Sequence, residues 1–165
     1  MGISVPTAIR IRTATLRDLD ILHQLEISHF GDDQFSRSQL RHLISRANAT
    51  FYVIESDRAV AGSAIMVWRK KSKTGRLYSI LIVKTAQGRG LGAKLLARCE
   101  SDARRNTCDK VTLEVRADNR AAIAMYVKHG YEITDSLPGY YVDGSNGLRM
   151  AKRLKKRPGN IRSGA

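Results

Sequence analysis

A glycine-rich turn that opens into a helix is the most chemically suggestive feature of the sequence. Gly88, Gly90 and Gly92 lie in QGRGLGAKLL, after an apolar run that ends near Val83 and at the start of a helix predicted from about Gly90. Glycine has no Cβ, so a ligand can approach the backbone, and the unpaired N–H groups of a first helical turn point at it. The helix dipole favours an anion there. The segment predicts a phosphate-binding site. A tight turn that binds no ligand can have the same glycine pattern.

Two common phosphate-binding motifs do not fit this segment. A P-loop needs Gly-Lys followed by Ser or Thr, whereas Lys94 follows Ala93 and precedes Leu95. A dinucleotide-binding fingerprint belongs to the first strand–helix unit of a parallel sheet, but this turn follows a predicted antiparallel meander. The sequence therefore argues against a nucleotide triphosphatase and against a dinucleotide-binding fold.

A carboxylate on a short strand is the first candidate for acid–base chemistry. In KVTLEVR, Val111, Leu113 and Val115 alternate with polar residues and share one face of the predicted strand. Glu114 therefore points the other way, into a polar space or cleft. It suits a general base, and it equally suits a solvent-facing residue paired with Arg116 or another cation.

Two further polar residues follow on one predicted helix. Asn119 and Tyr126 are seven residues apart, about two helical turns, so both project from the same side. They can contact one ligand together. Taken singly, Asn119 also suits a helix cap and Tyr126 a core aromatic residue.

The elements that must position these residues alternate between strand and helix. Periodicity and capping residues predict a strand at 8–14, helices from about Thr15 and Ser36, an antiparallel meander through TFYVIES, AVAGSAIMVWRK and GRLYSILIV, a helix from about Gly90, a strand at 110–116, a helix from about Asn119, and strands near 131–135 and 148–154. With 165 residues and 42% hydrophobic content, the chain suits one core. We expect one domain at 8–154, a flexible N-terminus at 1–7 and a basic disordered tail at 155–165.

Charge and cysteine content narrow the class of protein. The 29 Lys and Arg against 15 Asp and Glu give a formal net charge of +14, which favours anionic ligands and nucleic-acid surroundings. Cys99 and Cys108 have neither CxxC spacing nor a neighbouring His cluster, so we expect no metal site and no disulfide framework. No apolar run is long enough for a signal peptide or a membrane span. These features favour a reduced, cytoplasmic protein without membrane contact.

Two motifs together resemble one enzyme family. Gln87 to Gly92, QGRGLG, resembles the Gln/Arg-x-x-Gly-x-Gly/Ala signature of the GNAT acetyltransferase superfamily. The block LEVRADNRAAIAMYVKHGYE at 113–132 is similar to the bacterial ribosomal-protein-alanine N-acetyltransferases. The resemblance extends from Ile9 to Leu154. It implies a single-domain α/β (α+β) GNAT-type fold with a mixed, mostly antiparallel sheet of about seven strands, about four flanking helices and a splayed cofactor cleft between strands 4 and 5.

The resemblance also implies roles for individual residues, with acetyl-coenzyme A (acetyl-CoA) as cosubstrate and no metal. Glu114 would act as the base and Tyr126 would protonate the departing thiolate, in direct transfer within a ternary complex. The residues implied to bind the cofactor are Ile80, Leu81 and Ile82 through their main chain along the pantetheine arm, Gly88, Arg89, Gly90, Leu91, Gly92 and Ala93 through their amides at the pyrophosphate, and Asn119 through its side chain.

The acceptor is less sharply defined by the sequence. PGYYVDG resembles the aromatic segment before the last strand of the ribosomal-protein-alanine enzymes, so Tyr140 and Tyr141 are expected to line a peptide groove; they equally suit a pair that packs on the last strand. Where the family usually has an acidic residue or Asn on strand 4, this chain has Tyr78 and Ser79.

The chemistry of the acceptor favours an N-terminus. A peptide α-amino group has a pKa of about 7.7–8.0 and lysine one of about 10.4, so a modest base does less work on an N-terminus. We therefore expect a protein or peptide N-terminal acetyltransferase. A small-amine enzyme for polyamines, amino sugars or amino acids stays open, as does a basic ribosome- or RNA-associated module with a regulatory acetyl-CoA pocket. The charge permits ribosome association, and the oligomeric state is not predicted.

Overall fold

The computed structural model describes residues 7–46 and 48–155. Apart from Thr7 and Lys155, the predicted flexible N-terminus and basic tail lie outside the described residues. The strands are β1 (Ile9–Thr13), β2 (Ala49–Ser56), β3 (Ala59–Val67), β4 (Thr74–Ile82), β5 (Lys110–Arg116), β6 (Glu132–Leu137) and β7 (Gly147–Arg153). The α-helices are α1 (Leu19–Phe30), α2 (Arg37–Ser45), α3 (Leu91–Arg105) and α4 (Arg120–Lys128). Every predicted element is present, with ends shifted by a few residues.

The seven strands form one sheet in the order β1-β2-β3-β4-β5-β7-β6. All neighbouring strands are antiparallel except β4 and β5, which run parallel. Four α-helices accompany this sheet in the described residues. The expected fold, a mixed and mostly antiparallel sheet of about seven strands with about four helices, is confirmed.

The parallel pair separates halfway along its length. Pairing of β4 with β5 runs from Thr74 opposite Lys110 to Leu77 opposite Leu113 and stops there, whereas β4 stays paired with β3 as far as Ile82. Tyr78 is an extra residue in β4, because the pairing with β3 shifts register at this point. A bulge of this kind bends a strand and increases its twist. The bulge lies where β4 leaves β5, and the cleft expected between strands 4 and 5 opens beyond it.

Helices pack on both faces of the sheet. On one face, the α3 residues Leu91, Leu95, Cys99 and Ala103 are buried in a core cluster with β2 to β5 and α4, as their spacing predicted. On the other face, α1 and α2 bury a second cluster against β2 and β3, formed by Leu19, Leu22, Leu40, Leu43, Phe51, Val53 and Ile65. None of the described helices has the length and apolar character needed to span a bilayer.

The chain enters α1 through a tighter turn than its sequence predicts. Thr15 precedes a 3-10 turn at Leu16–Asp18, and the α-helix begins only at Leu19. The Asp18 carboxylate accepts the Thr15 backbone N–H at 2.8 Å and two N–H groups of Arg12, each at 2.8 Å. These contacts fix the first turn before the helix starts. Ser36 caps α2 as predicted, because its hydroxyl accepts the Gln39 backbone N–H at 3.1 Å.

Candidate active site

The glycine turn joins β4 to α3, and its glycines are required for two different reasons. Gly88 and Gly90 have φ angles of 78° and 75°, in the left-handed region that other residues rarely adopt. Gly90 is the residue before the first turn of α3. At Gly92 a Cβ would lie 3.2 Å from the Met125 sulfur, so this glycine lets α3 and α4 pack closely. Gly88 and Gly90 are therefore required for their backbone conformation, and Gly92 is required for the close packing of α3 and α4.

The turn carries a row of backbone N–H groups. Among the described residues, the amides of 88–93 donate to no protein acceptor. Side chains brace the turn on both sides, because the Gln87 amide donates to the Ile82 carbonyl at 3.1 Å and Arg89 donates to the Ser56 hydroxyl at 3.0 Å. The start of α3 thus presents unsatisfied donors together with the positive end of its dipole, which suits an anion.

The separated part of β4 offers a second backbone surface. Ile80, Leu81 and Ile82 pair with β3 along one edge, but β5 pairs with β4 only as far as Leu77. The β5-facing edge of these three residues therefore has no strand partner among the described residues. A backbone edge of this kind can hydrogen-bond an extended, amide-containing ligand.

Glu114 lies at the point where the strands separate. Its carboxylate is held by two cations, with Arg76 Nε 3.1 Å from one oxygen and Arg149 Nε 3.5 Å from the other. Arg116, the partner considered from the sequence, instead contacts Asp33 and lies 3.0 Å from Asp143. Only 11% of the Glu114 side chain is exposed. The carboxylate is therefore ion-paired and largely buried, and a carboxylate oxygen has a second lone pair for a further donor.

Tyr126 and Asn119 each have a structural contact of the kind that the sequence offered as an alternative. Tyr126 is buried and its ring packs edge-on against Tyr131, with the ring centroids 5.7 Å apart. Burial raises the pKa of its phenol, so the hydroxyl stays protonated at neutral pH. The Asn119 carbonyl oxygen caps α4 by accepting the Ala122 N–H at 3.2 Å. Its amide N–H groups have no partner among the described residues.

One cleft of about 1140 Å³ connects these features. Of the residues predicted for the site, it is lined by Ile80, Leu81, Ile82, Gly88, Gly90, Leu91, Gly92, Ala93, Glu114, Asn119, Tyr126, Tyr140 and Tyr141. Arg89 is the predicted residue that does not line it, because its side chain turns toward Ser56. The fold thus brings into one space residues that are separated along the chain.

Aromatic rings and an arginine form one end of this cleft. Tyr140 and Tyr141 contact each other edge-on at 5.1 Å between ring centroids, and Phe35 contacts Tyr78 at the same distance. The guanidinium of Arg76 lies 5.0 Å from the centre of the Tyr78 ring and 3.4 Å from the Tyr140 hydroxyl.

Tyr140 and Tyr141 have both of the positions that the sequence allowed, against the last strand and along the cleft. A Cβ on Gly147, the first residue of β7, would lie 3.1 Å from the Tyr141 ring, so the tyrosines pack closely on the last strand. They also line the cleft. The pair is therefore a packing unit whose other side borders the candidate site.

Two residues of the cleft, Arg76 and Glu26, escaped the sequence reasoning. Glu26 is only 3% exposed, and its carboxylate accepts the Phe35 backbone N–H at 3.0 Å. Burial raises its pKa to about 7, and this hydrogen bond opposes the rise. Leu19, Leu22 and Glu26 follow helical spacing, so a carboxylate occupies a position of the buried stripe of α1. That spacing was the available signal for Glu26, whereas the role of Arg76 depends on tertiary contacts.

Comparison with known proteins agrees with this geometry. The acetyltransferase (GNAT) family model matches residues 17–131. The chain belongs to the GNAT family. It is 31% identical over 151 residues to an uncharacterised N-acetyltransferase of Methanocaldococcus jannaschii, covering 90% of this chain and 92% of that protein. It is 26% identical to the catalytic subunit of the N-terminal acetyltransferase A complex of Arabidopsis thaliana, covering 88% and 78% respectively.

A solved structure shows the same fold. The ribosomal-protein-S18-alanine N-acetyltransferase from Escherichia coli superposes with a TM-score of 0.80 at 22% identity, covering 93% of this chain and 99% of that one. The resemblance inferred from the two sequence motifs is confirmed at the level of the family. As a GNAT protein, the chain is an N-acetyltransferase that uses acetyl-CoA.

The residues of the cleft fit such a cosubstrate. Unsatisfied amides at 88–93 suit its pyrophosphate, and Lys84, Arg89 and Lys94 add positive charge around the turn. Cys99 is buried with its thiol pKa raised by burial, so it is not a reactive nucleophile.

Proposed function

We propose that this GNAT enzyme transfers acetyl from acetyl-CoA to the α-amino group of a protein or peptide N-terminus, directly within a ternary complex. The observation that carries the proposal is the separation of β4 from β5, which brings Glu114 and Tyr126 into one cleft with the amide turn of α3. We assign the reaction to the cytoplasm, and two free, buried cysteines are compatible with a reducing compartment.

Backbone groups position the cosubstrate in this proposal. The amides of 88–93 hold the pyrophosphate at the start of α3, where the helix dipole adds to their attraction. The open edge of Ile80–Ile82 pairs with the amides of the pantetheine arm, as an added strand would. Asn119 keeps its carbonyl oxygen in the cap of α4 and donates its amide N–H to the cofactor. The thioester then lies beside the point where the two strands separate.

Two side chains move protons. Glu114 accepts the proton of the incoming ammonium, directly or through one water, on a lone pair that its arginine contacts leave available. Arg76 and Arg149 hold this carboxylate in place. Tyr126 donates its proton to the leaving thiolate as the C–S bond breaks, because burial keeps the phenol protonated until negative charge develops nearby, and the tyrosine regains a proton from the newly acylated nitrogen.

The aromatic end of the cleft supports a peptide acceptor. Phe35, Tyr78, Tyr140 and Tyr141 provide flat walls, and Arg76 and the tyrosine hydroxyls provide hydrogen-bonding groups. Peptide chains combine apolar side chains with regularly spaced polar groups, which such a surface can bind. The likeness to the catalytic subunit of an N-terminal acetyltransferase complex supports the same class of acceptor.

The test is an acetylation assay that separates α-amines from other amines. The protein is incubated with acetyl-CoA and peptides that carry a free N-terminus and one internal lysine, and mass spectrometry locates the acetyl group. Matched peptides with a formylated N-terminus leave only the lysine. We expect the free peptides to be acetylated at the α-amine alone. The formylated peptides should not be acetylated. Faster transfer to lysine, or to polyamines or amino sugars in the same assay, would contradict the proposed acceptor.

A further inference from the structure

A dense group of cations occupies the end of the sheet where β4 and β5 begin. We define the basic pole as residues 69–73, 104–110 and 153–155. Its cations are Arg69, Lys70, Lys71, Lys73, Arg104, Arg105, Lys110, Arg153 and Lys155, and Asp109 is its only acidic residue. All except Arg104 and Lys110 belong to the exposed class of residues. The cations therefore face solvent with very little compensating charge.

Backbone contacts hold the three segments of the basic pole together. The amides of Asp109 and Lys110 donate to the Lys73 carbonyl at 2.8 and 3.3 Å, and the Leu154 amide donates to the Asp109 carbonyl at 2.7 Å. Arg104 reaches the Lys155 carbonyl at 3.2 Å. Lys73, Arg104, Arg105 and Lys155 line a common cavity of about 380 Å³. The basic pole is thus one structured surface.

The cations of the basic pole are clustered and have almost no ion-pair partners among the described residues. Among the described residues, only Arg105 forms an ion pair there, a long one of 3.6 Å with Asp102. Some cations elsewhere on the sheet do pair with acids: Arg12 contacts Asp18 and Glu55, and Lys152 contacts Glu100. Clustered like charges repel one another, so folding alone does not favour this arrangement. A ligand with closely spaced negative charges would relieve the repulsion.

The basic pole is also separate from the catalytic cleft. Helix α3 starts at the glycine turn and ends at Arg105, after 15 residues. Such a helix is about 22 Å long. The pole and the pyrophosphate turn therefore lie at opposite ends of α3. The positive charge around the turn has a role in binding acetyl-CoA, whereas the charge of the basic pole has none in the proposed reaction.

We propose that the basic pole docks the enzyme on the phosphate backbone of structured RNA, leaving the cleft free to receive a protein N-terminus. The choice of RNA as the polyanion rests on the proposed function, because N-termini of ribosomal and newly made proteins lie next to RNA. Phosphate contacts by Lys and Arg give affinity without sequence specificity.

The composition of the basic pole points to helical RNA backbone and away from two other ligands. Trp68, the aromatic residue that directly precedes the first of the three segments, is half-buried and its indole N–H is bound to Thr50 at 2.9 Å, so it is not a platform for stacking unpaired bases. None of the large exposed apolar residues described lies in the three segments, so the pole does not suit insertion into a membrane. Recognition of duplex backbone needs neither feature.

The test compares two triple variants with the same change in net charge. The pole variant is K73A/R105A/K155A, and the control is R10A/R17A/R41A, whose exposed arginines lie in β1, before α1 and in α2, outside any described ion pair. Binding of a fluorescent RNA hairpin is followed by anisotropy over a range of salt concentrations. We expect the pole variant to bind at least about tenfold more weakly, with the slope of log K against log salt reduced by about two to three. The control variant should keep an affinity near that of the wild-type protein.

Three outcomes would overturn the proposal: no RNA binding by the wild-type protein, equal weakening by both variants, or tighter binding of a DNA duplex or an acidic polypeptide of matched charge than of RNA. The assay contains neither acetyl-CoA nor an acceptor, so its failure is independent of the proposed reaction. Both variants should acetylate a free acceptor peptide at the wild-type rate. A normal rate with lost RNA binding shows that the pole variant is folded and that docking, not catalysis, was removed.

Discussion

The Glu26→Gln substitution should stabilise the protein at alkaline pH, because it replaces a buried carboxylate by a neutral group of the same shape. Glu26 is 3% exposed, and burial raises its pKa from 4.5 to about 7. Glutamine keeps an oxygen that can accept the Phe35 N–H, and its amide nitrogen replaces the hydroxyl of the protonated acid. The variant therefore imitates the neutral form at every pH.

The magnitude follows from linkage between protonation and folding. Between pH 4.5 and 7 the folded protein retains a proton on Glu26 that the unfolded chain has lost, so the free energy of unfolding falls as pH rises through this window. The full difference in pKa corresponds to about 3 kcal/mol. Because the carboxylate borders an open cleft, where water reduces the penalty, we expect about 2 kcal/mol. In a domain of this size that equals roughly 4–8 °C in melting temperature.

The assay is thermal or urea unfolding of wild-type and variant protein from pH 4 to pH 8. The two proteins should have similar stability near pH 4, and the variant should become more stable as pH rises, reaching its full advantage above pH 7. Glu132→Gln is the matched control, because it makes the same chemical change at an exposed residue that has no ion pair among the described residues. It should change stability by no more than about 0.5 kcal/mol at any pH. A stability difference for Glu26→Gln that is constant with pH, or a variant less stable at pH 8, would show that burial of Glu26 does not oppose its ionisation.

Three substitutions test the assigned roles in the cleft. Tyr126→Phe should lower kcat by about 100- to 10,000-fold and leave the KM for acetyl-CoA nearly unchanged; an unaltered kcat in steady-state kinetics would remove the tyrosine as the acid. Glu114→Gln should lower kcat by at least about 100-fold and leave the KM for acetyl-CoA nearly unchanged; an unaltered kcat would exclude the carboxylate as the base. Gly90→Val should weaken acetyl-CoA binding at least about tenfold in calorimetry, because a β-branched residue resists a φ of 75°. A variant that binds acetyl-CoA as tightly as the wild-type protein would show that the turn does not bind the pyrophosphate.

Much of the fold was predictable because local patterns are explicit in this sequence. The alternation of Val111, Leu113 and Val115 predicts both β5 and the side of the sheet to which Glu114 belongs, and the structure confirms an alternation of buried and partly buried residues along that strand. Ser36 and Asn119 predict the starts of α2 and α4, and both side chains cap those helices. These features depend on neighbours within a few residues.

The detailed surroundings of the site were not predictable in the same way. Arg76, which contacts Glu114, is 38 residues away in the chain, and no local rule links the two. The bulge at Tyr78 that separates β4 from β5 depends on the register with β3, which the strand sequences leave open. Glu26 did leave a signal, since it occupies a buried position of the α1 stripe, but a polar residue on an otherwise apolar stripe is easily assigned to the surface.

Calorimetry can compare the binding of acetyl-CoA with that of S-acetyl-pantetheine, which has the same thioester and arm but no pyrophosphate. If the amides at the start of α3 hold the pyrophosphate, acetyl-CoA should bind with one-to-one stoichiometry, and the truncated thioester should bind far more weakly. Equal affinity for the two compounds, or no binding of acetyl-CoA, would show that the turn before α3 does not hold the pyrophosphate.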